Sequence, residues 1–259
     1  MSFAGKVAII TGGSRGIGES IAARLAAEGA TIALVARGAD DLNQTAARLD
    51  ETATGRVVAF PCDLRELENV QALIASIMAE FGHIDILVNN AGATKSGNLL
   101  DRADEDWVDA YDSKLFAFAR MCRECWPHLK ASRGRVINIG GVLSNTPSPN
   151  AIIGSTSAAA VVALTKALAE YGRPDGIIVN GINPGLIETR RFRQHLEELG
   201  EKQSISGDEE RAKMIARLAI NRLGKPEEIA DAVAFLLAER NTYIHGAIID
   251  VDGGMTKGL

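Results

Sequence analysis

The chain has 259 residues, of which 46% are hydrophobic and 24% charged, and its formal net charge is −5. That acidity argues against nucleic acid as a partner, and no uninterrupted apolar run approaches the ~20 residues that cross a bilayer. Three cysteines make no disulfide framework, and the histidines at 83, 128, 195 and 245 have no metal-like spacing, so neither a metal nor a membrane is expected.

The first six residues lead straight into a strand, with no basic segment ahead of an apolar one, which makes cytoplasm the expected compartment. From there short β-branched runs alternate with longer amphipathic ones. Val7–Thr11 reads as a strand and Ile17–Glu28 as a helix, followed by strand Thr31–Ala36 and helix Asp40–Glu51. Strand Val57–Phe60 precedes helix Glu66–Phe81, whose apolar residues Val70, Leu73, Ile74, Ile77 and Met78 share one face. Strand Ile84–Asn89, a long helix Asp104–Lys130, strand Arg135–Ile139 and helix Ile153–Tyr171 come next. Then follow strand Ile177–Ile182, a polar stretch Ile187–Ile220 with one or two helices, helix Pro226–Ala238 and strand Ala247–Val251. Seven strands interleaved with helices imply an α/β, Rossmann-type doubly wound, mainly parallel sheet with helices on both faces. No linker or repeat interrupts the pattern, so residues 1–259 read as a single dinucleotide-binding domain.

The first strand runs into Thr11-Gly12-Gly13-Ser14-Arg15-Gly16-Ile17-Gly18, which opens a helix. Glycines 12, 16 and 18 permit a tight turn and close approach of backbone to a pyrophosphate, and the helix N-terminus supplies N–H donors. The second strand ends in Val35-Ala36-Arg37. An acidic residue there would accept from the 2′-hydroxyl of NAD(H); a guanidinium at 37, with Arg15 in the glycine loop, suits a 2′-phosphate and predicts NADP(H) instead. Cys122 and Cys125 form a CxxC deep in a helical stretch, away from the strand-to-helix context of a redox pair, and read as two small buried residues.

TGGSRGIG at 11–18, Cys62-Asp63-Leu64 after the third strand, Asn89-Asn90-Ala91-Gly92 after the fourth, Asn183-Pro184-Gly185 with Ile187 and Thr189 after the sixth, and Val251-Asp252-Gly253-Gly254 near the end occur in order along nearly the whole chain. In this the chain resembles the short-chain dehydrogenase/reductase family. The resemblance implies that Asp63 and Leu64 border an adenine, that Asn89, Asn90, Ala91 and Gly92 lie along the cofactor, and that Pro184, Gly185, Ile187 and Thr189 cover the nicotinamide. It also implies a small-molecule carbonyl or alcohol substrate, a substrate lid over 187–220, and a homotetramer in which the long helices pair across a two-fold axis. The alanines at 158–160 suit such close packing.

Carried over position by position, the family's proton-handling residues are replaced. Gly141 stands at the serine position, Gly154 at the tyrosine, Ala158 at the lysine and Lys114, seven residues after Trp107, at the asparagine. Lys114 is the candidate catalytic residue, expected to reach the space left at Ala158 and to bond the ribose or an anionic substrate. Tyr111, three residues before it, offers a relocated Tyr/Lys pair. The hydroxyls of Ser144, Ser155, Thr156 and Ser157 lie near the same place but need a base to release a proton. Arg190, Arg191 and Arg193 open the lid and, with Lys114, favour an acidic substrate. Three readings follow: an NADP(H)-dependent oxidoreductase with an altered proton-handling site, an NADP(H)-binding protein without turnover, and a lyase or isomerase that holds the nucleotide structurally.

Overall fold

A computed structural model describes residues 2–257; Met1, Gly258 and Leu259, the extreme ends of the expected domain, lie outside the described residues. Seven strands form one parallel sheet: β1 (Val7–Thr11), β2 (Thr31–Ala36), β3 (Val57–Pro61), β4 (Ile86–Asn89), β5 (Arg135–Ile139), β6 (Ile178–Pro184) and β7 (Ile248–Val251). Their spatial order is β3-β2-β1-β4-β5-β6-β7, with every pairing parallel. The fold is therefore the doubly wound α/β sheet that the alternation of runs predicts. β1 has β2 on one side and β4 on the other, so the connections diverge between β1 and β4 and open a crevice at the strands' carboxyl ends.

Why these strands are mostly apolar is visible in the alternation of their side chains. Ala8, Ile10, Ile32, Leu34, Ile86, Val88, Ile137 and Ile139 point into one core, with the inner faces of α1 (Gly16–Ala27), α2 (Ala39–Asp50) and α9 (Pro226–Leu237). Ile9, Ala33, Val35, Leu87 and Val136 point into the other, against α3 (Leu67–Phe81) and α5 (Ala117–Ser132). A strand buried on both faces is built mainly of apolar residues, and the polar ones these strands bury, such as Asn89, Asn138 and Asn180, are hydrogen-bonded. α3 shows the complementary rule: Val70, Leu73, Ile74 and Ile77 form its buried stripe, and Gly82 (φ 80°) ends it in the left-handed conformation. Each of those side chains gains about 1.5–3 kcal/mol by leaving water, so a charge at Ile77 would unseat the helix.

The long helix expected over Asp104–Lys130 is interrupted. α4 (Asp104–Tyr111) passes through a π-helical turn, Asp112–Phe116, before continuing as α5. The polar stretch after β6 resolves into α7 (Arg190–Lys202) and α8 (Gly207–Leu218). Thr189 caps α7 by accepting from the Phe192 N–H at 3.1 Å, and Ser206 with Glu209 forms a capping box at α8. α6 (Ile152–Gly172) with the turn after it, Ile152–Asp175, has the length and mean hydropathy (1.6) of a membrane-crossing helix. Here it packs on β6 and beside α4, as a core helix does.

Candidate functional site

The loops after β1 and β4 are stitched together at the crevice. Thr11 is fully buried, and its Oγ1 accepts from the N–H groups of Asn90 (2.9 Å) and Ala91 (3.1 Å). Asn90 returns the contact by donating from Nδ2 to the carbonyls of Thr11 (3.0 Å) and Gly12 (3.2 Å). Gly12 has φ +64°, and a β-carbon there would come within 2.9 Å of the Ala91 Cα. A β-carbon on Gly18 would stand 2.3 Å from the Gly12 carbonyl oxygen. These glycines let α1 begin directly beneath the turn, its first N–H groups facing the crevice.

A cleft of about 480 Å³ runs from this loop along the strand ends. Among the residues expected to bind cofactor, Gly12, Ser14, Arg15, Gly16, Ile17, Arg37, Asp63, Leu64, Ala91, Gly92 and Thr189 line it. Others do not, and each has a physical reason. Gly18 is buried under the turn. Asn89 is wholly buried: its Nδ2 donates to Asn138 Oδ1 at 2.9 Å and to the Cys122 sulfur at 3.3 Å. Strand alternation sends Asn89 the way of Leu87, into the core beside α5, and Asn90 takes the place expected for it. Pro184 is buried at the end of β6. Gly185 packs where a β-carbon would stand 2.7 Å from the Asp252 Cα, and Ile187 pairs with Gly224 and is buried.

At the outer end of the cleft Arg65 forms a strut. Its guanidinium grips both oxygens of Asp63 (Nη2 to Oδ2 2.6 Å, Nε to Oδ1 3.0 Å) and reaches Asp109 on α4 at 3.0 Å. The hydrogen bond from Arg65 holds the Asp63 carboxyl below the usual range, against a smaller opposing cost of burial, and nearby Arg37 adds to the lowering. Arg37 itself is exposed and, among the described residues, in no ion pair with a carboxylate.

At the inner end stands Lys114. The π turn supplies one extra residue to the helix, and Lys114 lies within that turn. Its stem passes over Gly92 (φ +117°), where a β-carbon would meet Lys114 Cβ at 2.9 Å. Its ammonium donates to the Gly140 carbonyl at 2.9 Å, just past β5. Burial, with the like charge of Arg191 as the lesser cause, brings its pKa down from 10.5 to about 8. Gly141 and Ala158 face one another nearby: a β-carbon on Gly141 would lie 3.9 Å from that of Ala158. Gly154 opens no space of its own, because Thr94 Oγ1 and Leu143 Cδ1 lie 3.1 and 3.3 Å from where its β-carbon would stand. Arg191, on the first turn of α7, crosses to the same place and donates from Nη2 to the Thr94 carbonyl at 3.0 Å.

The other candidates are occupied elsewhere. Tyr111 stacks on Trp107, one turn back, at 6.5 Å between ring centroids and 26° between planes. Ser155, Thr156 and Ser157 donate to backbone carbonyls of their own helix, and Ser144 accepts from Asn183 Nδ2 at 3.0 Å. Cys122 and Cys125 are buried, and desolvation raises both thiols, Cys122 to about 12. Thr94, Arg65, Asp109, Ser113 and Gly140 were not expected at the site. Arg65 had a local signal, a base two residues after Asp63; the rest depend on the tertiary fold.

A family described as enoyl-(acyl carrier protein) reductase matches residues 12–256. The 3-oxoacyl-[acyl-carrier-protein] reductase FabG of Escherichia coli (strain K12) is 34% identical over 98% of this chain and 99% of its own. L-sorbose reductase from Gluconobacter frateurii, solved with NADPH and L-sorbose, superposes with a TM-score of 0.95 at 36% identity, over 100% of this chain and 99% of that one. An actinorhodin polyketide ketoreductase, solved with NADPH, gives a TM-score of 0.91 at 31% identity over 98% of both chains. A glycine turn under a helix N-terminus at the β1/β4 divide, and end-to-end likeness to these reductases, lead to one conclusion: the chain belongs to the short-chain dehydrogenase/reductase family.

Proposed function

We propose that the chain is an NADP(H)-dependent oxidoreductase acting on a small carbonyl or alcohol substrate, with Lys114 as the group that handles the proton. The observation that carries this reading is the Lys114 ammonium, held 2.9 Å from the Gly140 carbonyl beside the Gly141–Ala158 wall, with its pKa brought to about 8. An acid whose pKa lies near the working pH gives and regains protons most effectively.

The residues present fit the cofactor. The turn at Gly12 and Gly16 leaves room for a pyrophosphate against the α1 N–H groups, and Arg15 and Arg37 line the cleft without carboxylate partners among the described residues. Gly12, Ser14, Arg15, Gly16 and Ile17 would hold the pyrophosphate, Arg37 the 2′-phosphate, Asp63 and Leu64 the adenine, and Ala91, Gly92 and Thr189 the inner half. NADPH bound to the L-sorbose reductase and the polyketide ketoreductase supports the same choice. The nicotinamide supplies the hydride when bound. Lys114 gives its proton to the oxygen of the carbonyl being reduced, and its charge stabilises the alkoxide as it develops. In the alcohol-oxidising direction the neutral amine takes that proton back. Arg191, joining α7 to Thr94, supports residues 187–220 as a lid that closes over the substrate and excludes water.

We extend the reading to one domain over 1–259, to the cytoplasm and to a homotetramer. Exposed Leu99, Leu100, Val108 and Phe116, in and around α4, support an assembly that covers them.

One observation favours the second reading, a cofactor-binding protein without turnover. Gly141, Gly154 and Ala158 carry no proton donor, and the neighbouring hydroxyls are spent on backbone. Titration of NADPH fluorescence, followed by a panel of ketones, aldehydes and quinones, separates the two. The oxidoreductase reading expects saturable NADPH oxidation that drops about 10²–10⁴-fold in Lys114→Met. Tight NADPH binding with no oxidation anywhere on the panel would establish the second reading instead.

A further inference from the structure

The inner end of the cleft has an imbalance of charge that the cofactor does not account for. Arg191, on the lid helix α7, lines it, and Lys114, in the π turn, stands against Gly92 at its edge. Each is fixed by one backbone carbonyl, Lys114 by Gly140 at 2.9 Å and Arg191 by Thr94 at 3.0 Å. Neither is joined to a carboxylate among the described residues, and the carboxylates nearby are taken by other cations. Arg65 holds Asp63 and Asp109, Arg120 holds Asp112 at 2.6 Å, and Arg211 holds Glu188 at 3.4 Å. Burial lowers the pKa of both, and a like charge adds to it in each case, Arg191 for Lys114 and Arg15 for Arg191.

The three arginines at the start of the lid do not share one role. Arg193 turns outward and lines a separate cleft beside α1 and α9, of about 720 Å³, that Arg191 does not reach. Arg190 borders both clefts. Arg15 stands at the glycine loop, at the start of α1, where a pyrophosphate is expected. Arg191 alone of the lid arginines is tied to Thr94, whose hydroxyl lies 3.1 Å from the missing β-carbon of Gly154 at the start of α6. That places Arg191 between the start of α6 and the glycine loop, where Arg15 is its like-charged neighbour.

The geometry points to a substrate that carries a carboxylate as well as its carbonyl: an oxo acid, with Arg191 binding the carboxylate and Lys114 facing the carbonyl oxygen. The inference rests on the oxidoreductase reading for the carbonyl and on the unpaired charges for the carboxylate. A guanidinium free on one edge receives a carboxylate through two parallel hydrogen bonds. Closing the lid on an anion would bring Arg191 its missing counter-charge, so the acidic substrate itself would favour closure.

The test uses the protein saturated with NADPH. Oxo acids with no, one or two methylenes between the two groups (2-oxobutanoate, acetoacetate and 4-oxopentanoate) are compared with their methyl esters, both by the change in NADPH fluorescence and by NADPH oxidation. At least one acid is expected to bind about tenfold to a hundredfold more tightly than its ester, the range expected of a charge-assisted hydrogen bond. The preference should vanish in Arg191→Gln and return in part in Arg191→Lys, with NADPH affinity unchanged in both. Acids and esters that bind alike to the unaltered protein would overturn the proposal, whether or not turnover occurs. So would an Arg191→Gln protein that loses NADPH affinity as steeply as oxo-acid affinity, since the guanidinium would then serve the cofactor. A preference for the acid without NADPH oxidation would uphold the carboxylate site while removing the oxidoreductase reading.

Discussion

The pH dependence of carbonyl reduction is the sharpest consequence of where Lys114 lies. Its pKa falls from 10.5 to about 8, chiefly because the ammonium is taken out of water. The drop corresponds to about 3 kcal/mol of preference for the neutral amine inside the fold. A proton donor must be charged to act, so kcat/KM for reduction should hold a plateau below about pH 8 and fall above it, to about one tenth at pH 9. An ordinary surface lysine would leave the rate flat over that range. In Lys114→Met the falling limb should disappear together with most of the rate. Stability supplies an independent measurement with its own sign. Below about pH 8 both folded and unfolded chains hold the proton, and the full cost of burying it is present. Between about 8 and 10.5 the unfolded chain binds more protons than the folded one, so wild-type stability rises relative to Lys114→Met as pH increases through that window, by up to about 3 kcal/mol. Urea unfolding of both proteins at several pH values reads this difference directly. A rate profile without a break between about pH 7 and 10, or a break that survives in Lys114→Met, would refute the reasoning.

Two other substitutions bear on the cofactor end. Arg37→Ala should weaken NADPH about tenfold or more while leaving NADH nearly untouched, because only the 2′-phosphate is lost to it; parallel fluorescence titrations give the ratio. Gly18→Ala places a β-carbon 2.3 Å from the Gly12 carbonyl oxygen and 2.6 Å from Asn90 Nδ2, so the turn must shift. NADPH binding should fall at least about tenfold, with a stability loss of about 1–3 kcal/mol in urea; unchanged affinity would separate the turn from the cofactor.

The sheet was legible because burial on both faces leaves strands no choice of composition: runs such as Thr31–Ala36 stand out from the amphipathic stretches between them. Over 187–220 only one or two helices were expected, although Ser206 and Glu209, the capping box of α8, mark its start in sequence. The site was only partly legible. The glycine turn is a local device and its residues fall where a strand–turn–helix must put them. Asn89 shows the limit: its neighbour Asn90 lines the cleft, and the parity that decides between them is set by Leu87 and Val88 in the sheet. Pro184 to Ile187 are expected at the nicotinamide by resemblance alone; their packing against Asp252 and Gly224 depends on the tertiary fold. Lys114 could be placed by its spacing from Trp107, but no proline or glycine between Asp104 and Trp126 marks the π turn that aims it.

That turn also determines how the site can change. A π turn closes over one more residue than an α turn, so removing one residue between 112 and 116 would restore regular winding while leaving α4 and α5 nearly in phase. Asp109, outside the turn, would keep its contact with Arg65, and the change would fall on Lys114 and its neighbours within the turn. The reach of the lysine proposed to face the substrate is therefore stored in chain length as much as in residue type. A single-codon deletion would alter the inner end of the cleft and leave the outer end as it is.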